Sequence, residues 1–235
     1  MDALTRLHTH TAGLLGQVDD LLARCGAPAD HDIWPLLRRT GALPGDLVGG
    51  LAAWSPGPWL EQAEVLRRAA RHTDEVAAAL PVAQPADYGW RGPAAEAFAV
   101  RAGAARARMR GWSEQALADA DRLTELAHWL LDARLRAARV LGRVAGSAQA
   151  VTLVTGIAPG AATLRIMAGG DAGGADRSLR VRAAAAAEIG ATLLAEFDRL
   201  LAEGEELVAR VPAVRATTEA TFDLGPAAAA LHVDL

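Results

Sequence analysis

The strongest constraint in this chain is a helical period that returns again and again, with almost no competing pattern. Leu4, Leu7, Thr11, Leu14, Val18, Leu21 and Cys25 recur at alternating spacings of three and four. That places them on one stripe of an amphipathic helix, close to a coiled-coil seam. No segment sustains a period of two, so no sheet is expected and the fold class is all-α. The apolar fraction is 51%, but aromatics make up only 4%. The seams are therefore built largely from Ala, which lets helix axes approach closely. An elongated antiparallel helical bundle is expected.

Breakers divide the chain. A first helix over 2–25 ends at Gly26-Ala27-Pro28. Asp32 can cap a short helix that Gly41 closes, and Leu43-Pro44 opens another to about Trp54. Ser55-Pro56-Gly57-Pro58 is the clearest boundary of the first half. The seam then resumes as Trp59, Ala63, Leu66, Ala70, Thr73, Ala77 and Leu80. A loop from Pro81 leads to Trp90-Arg91-Gly92, and Pro93 suits the first position of a long helix to about Gly142. Its seam reads Phe98, Ala102, Ala105, Met109, Trp112 and Ala116, then Leu123 to Val140 after an interruption at Asp119. A last long helix is expected over about 176–210. The tail, 214–235, has no clear period and is expected to be poorly ordered.

Several function classes are excluded by what the chain lacks. All 24 basic residues are Arg, so there is no phosphate-loop lysine and no Schiff base. There is no Asn, hence no N-glycosylation acceptor. Cys25 is the only cysteine, which rules out an intrachain disulfide or a thiolate zinc cluster; its place on the apolar stripe predicts a buried thiol. A net charge of −4 points away from nucleic acid. The acidic, interrupted N-terminus is not a cleavable export signal, so the chain is expected to be cytoplasmic, or to leave by a route that needs no such signal. None of the four serines sits in a Gly-x-Ser-x-Gly context, and no catalytic residue is predicted.

The segment Trp90-Arg91-Gly92-Pro93-Ala94-Ala95-Glu96-Ala97-Phe98 lies between two seams. It resembles the signature of the WXG family of type VII (ESX-type) secretion substrates, small hairpins of two antiparallel helices joined at a Trp-x-Gly turn. Trp90, Gly92, Ala94, Ala95 and Phe98 match position by position. The resemblance spans about residues 57–143, and the whole chain looks like the longer actinobacterial forms, some of which are leader domains of secreted toxins. It implies a non-catalytic, secretion-associated protein without a cofactor. Its implied partners are another Trp-x-Gly helical protein or a second copy of itself, and the secretion ATPase. The family's Tyr-x-x-x-Asp/Glu export signal is missing, because Tyr88 is followed four residues later by Gly92; a partner would supply that signal in trans. The physical reading of the turn agrees: Gly92 permits a close backbone reversal, and Trp90 can plug the open end of the bundle. Leu66, Ala70, Met109 and Trp112 are the expected seam.

Three other features carry chemistry of their own. Glu125-x-x-His128 places both side chains on one helix face, the half-site of a di-metal bundle, but it occurs once and no metal is assigned. Arg101, Arg106, Arg108 and Arg110 crowd the start of the long helix, either as a docking patch for an acidic partner or as a solvated face. Glu203, Glu205 and Glu206 form an opposite pole that could pair with them in a second copy. Residues 144–164 carry no charge and are long enough to cross a bilayer. Their Ala, Gly and Pro content favours a buried, broken helix, with membrane-active insertion as the alternative. The organisation expected is a helical cap over 1–56, a Trp-x-Gly hairpin over 57–143, C-terminal helices of the same bundle over 144–213, and the tail.

Overall fold

A computed structural model describes residues 2–79, 89–155 and 174–210 of the chain. Every regular element among the described residues is helical: α1 (Ala3–Cys25), α2 (Ile33–Thr40), α3 (Pro44–Ala53), α4 (Gly57–Ala79), α5 (Pro93–Ala145), α6 (Ala148–Thr155) and α7 (Gly174–Ala209). The breakers act as their chemistry dictates. Gly26 and Gly41 each adopt a φ of 66° and end α1 and α2, with their N–H groups returning to Leu22 and Leu37. The expected tail, Leu80 and the second half of the 144–164 run lie outside the described residues. The first half of that run is broken at Gly146 and resumes as α6.

At 53 residues, α5 is about 80 Å of continuous helix and has two different sets of neighbours. Its first part carries α4 alone: α4 packs on α5 and on no other helix among the described residues. The pair is antiparallel. Ser113 donates to the Ala70 carbonyl at 3.1 Å, Arg106 Nε to the Ala77 carbonyl at 3.1 Å, and Arg67 to Thr124 at 2.8 Å and Asp121 at 3.1 Å. The α4–α5 pair therefore forms an arm. The second part of α5 enters a bundle with α1, α3, α6 and α7. Among the described residues α1 and α7 pack along the hairpin through the far half of α5, and neither packs on α4.

The core of the bundle is aliphatic, with Leu4, Val18, Ile33, Leu141, Leu153, Leu193 and Leu194 all at most 1% exposed. Gly190 marks its tightest crossing. A Cβ there would lie 2.8 Å from Ile33 Cδ1 and 3.1 Å from Leu22 Cδ1, so a side chain at this position would push those two aside where α7 crosses α1 and α2. Cys25 lies beyond the Leu22 crossing and is exposed, which corrects the buried thiol read from the stripe.

Two arginines fix the helices relative to one another. Arg134, 6% exposed, donates to Asp2 Oδ2 at 2.6 Å, to Thr5 Oγ1 at 2.9 Å, and to the Leu51 and Trp54 carbonyls at the end of α3. One guanidinium thus joins α1, α3 and α5, a use of its five donors that an ammonium cannot reproduce. Asp2 also caps α1, accepting from the Thr5 N–H at 2.9 Å. The Arg134 hydrogen bond, opposed in part by burial, holds the Asp2 carboxyl well below the usual carboxylate range. Because the folded-state value is depressed, this contribution is present above the ordinary carboxylate value of 3.8 and is lost as pH falls below it. Arg136 performs the second closure. It bonds to Glu196 at 2.9 Å and to Glu203 at 2.7 Å on α7, and these bonds raise its own pKa.

Replacing Arg134 by Met strands two carbonyls and a carboxylate. Arg134→Met should lower unfolding free energy by about 3 kcal/mol, read from the midpoint of urea denaturation at neutral pH.

Candidate interaction site

The face that α5 turns to α4 is built from small residues. Ala63, Ala70 and Ala77 recur every seven residues on α4 and are at most 3% exposed. Opposite them lie Ala120 at 0% and Ser113 at 2% exposure. This frame is rotated from the seam expected on α5. Met109 and Leu66 are half-buried and Ala70 is buried, but Phe98 and Trp112 are 47% and 63% exposed. The reason is steric. With alanine at every central position of α4, the axes lie too close for an indole between them, and the next heptad stripe, through 98, 105 and 112, turns outward.

The Trp-x-Gly segment stands at the far end of this arm. Gly92 has a φ of 105°, a conformation that side-chain-bearing residues rarely adopt, and it is the N-cap of α5, with its carbonyl accepting from Glu96 N–H. Ala95 is buried at 4% exposure, whereas Ala94 is exposed. Trp90 does not plug a core. It is 44% exposed and its ring lies 5.5 Å from Phe98, tilted by 48°. The two rings shield each other at the tip, which corrects the expectation of a buried plug. They remain an apolar surface.

The four arginines read as one patch divide over two faces. Arg106 turns to α4 and bonds to its backbone, and Arg110 follows one turn later. Arg101 and Arg108, seven residues apart, lie on the other side beside Phe98 and Trp112, and both are exposed. Sequence reasoning saw clustered charge but not this partition, since only the position of α4 reveals it.

Glu125 faces Arg210 at 3.7 Å, His128 is exposed, and no three His, Cys, Asp or Glu side chains converge among the described residues. No described helix is long and apolar enough to cross a membrane. The arm carries an exposed stripe of aromatic and basic side chains, Phe98, Arg101, Arg108 and Trp112. Comparison of the chain with protein family models, with curated proteins and with solved structures finds no match in any of the three.

The small-residue seam can be tested without touching the bundle. Ala70→Leu should force α4 from α5 and cost about 2 kcal/mol of arm stability. Amide hydrogen exchange should rise across 57–79 while the buried amides of α1 and α7 keep their protection.

Proposed function

We propose that the chain is a non-catalytic helical protein of the type VII (ESX-type) secretion system, either a secreted substrate or the helical partner of one. The observation that carries this reading is the antiparallel α4–α5 pair, flanking a segment that ends in Trp90-Arg91-Gly92, where Gly92 begins the second helix at positive φ. The resemblance through Trp90, Gly92, Ala94, Ala95 and Phe98 supports it. Exposure of Trp90 and Phe98 at the tip and of Trp112 further along the arm supports action through protein contact, because exposed aromatic surface of this kind marks interaction sites. The partner class is a second helical protein, of the same Trp-x-Gly type or this chain itself, with the secretion ATPase as the recognising machine.

The test is export. Produced in an actinobacterial host with an intact ESX-type system and a co-expressed Trp-x-Gly partner, the tagged chain should accumulate in the culture supernatant while a cytosolic marker stays in the cells. Deleting the secretion ATPase should abolish that accumulation. Retention in the cell with every candidate partner present, or release that ignores the ATPase, overturns the proposal.

A further inference from the structure

Along the uncovered side of the arm, Phe98, Arg101, Ala105, Arg108 and Trp112 follow one another at spacings of three and four. They form a single stripe about 21 Å long beside the α4 seam. Phe98 and Trp112 are 47% and 63% exposed, and Trp90 lies against Phe98 at the tip. Neither Arg101 nor Arg108 has an ion pair among the described residues. The distal arm as a whole, residues 66–79 and 89–111, holds eight Arg against three acids, although the full chain is net −4.

The counter-charge is elsewhere on the same molecule. The last turns of α7, residues 200–209, hold three Glu and no Arg. Leu201, Glu205 and Val208 make an exposed stripe there, again at spacings of four and three, with Val208 61% exposed. Glu203 is committed to Arg136, whereas Glu205 has no ion pair among the described residues. The arm stripe continues along α5 through 119 to Leu126, which lines a shallow cleft together with Leu207 of α7. The basic aromatic stripe therefore leads down α5 to the helix that carries the acidic apolar one.

Within one chain the two cannot meet. Arg210 anchors the end of α7 beside Glu125, and Arg101 lies 24 residues further up a continuous helix, about 36 Å away. We propose that the occupant of the arm stripe is the α7 stripe of a second copy, in a two-fold symmetric antiparallel dimer. Position 105 at the middle of one stripe is 24 residues from Trp129, which packs on Gly204 at the middle of the other. An antiparallel two-fold centred near residue 117 of α5 brings each stripe opposite its complement in a single operation, as an isologous interface requires. Leu201 and Val208 then cover Phe98 and Trp112, and Glu205 lies between Arg101 and Arg108. This deepens the interaction-based reading above by naming the partner. Its test uses purified protein and no export measurement, so either can fail alone.

The experiment is sedimentation equilibrium of the full chain at about 20 µM, alongside R101E/R108E and a variant that also carries E205R and E206R. The wild type should be a dimer. R101E/R108E should weaken association by about tenfold or more with unchanged helical circular dichroism, and the fully charge-reversed chain should recover it. A photo-crosslinking residue at position 105 should couple to 201–208 of the other copy. A monomeric wild type, a dimer indifferent to R101E/R108E, or crosslinks confined to the arm of the other copy overturn the proposal.

Discussion

Nothing larger than a methyl or hydroxymethyl group stands at the centre of the contact between α4 and α5, and the arrangement of the arm follows from that. Ala63, Ala70 and Ala77 bring the two axes together closely enough for Ser113 to reach a backbone carbonyl across the gap. The gain per alanine is small, on the order of 1 kcal/mol. The geometric effect is larger. Close axes exclude bulky side chains, so the indole of Trp112 and the ring of Phe98 are displaced to the outside, where they mark the surface.

The bundle end is held differently. Its core is leucine, isoleucine and valine, but its helices are registered by Arg134 and Arg136. Because the chain has no lysine, every fixed cation is a planar fork, and the fork is used as such: Arg134 serves four acceptors on two chain segments besides its own. α5 belongs to both regimes. Close packing of small groups governs its first half, and aliphatic burial with directed ion pairs governs its second.

The sequence made the helices legible because their period and breakers are local properties. Gly26, Gly41 and Pro93 end or begin helices by backbone chemistry that no neighbour overrides. Which stripe of α5 meets α4 was not legible. Two adjacent heptad frames on that helix are both apolar, one small and one large, and choosing between them requires knowing that α4 offers only alanine. The same ignorance made Trp90 look like a plug and four arginines look like one patch. Arg134 gave no signal at all, since its partners Asp2, Leu51 and Trp54 lie 80 or more residues away in the chain.

Among the described residues α4 packs on no helix but α5, which makes the molecule mechanically anisotropic. Drawn away from its loop end, α4 would unzip from α5 progressively, every second turn releasing one buried alanine and at most a few polar links. Drawn from the end of α7, the bundle resists in shear, because the Arg136 closure and the tight passage at Gly190 have to yield together. The same chain is compliant along one axis and stiff along the other.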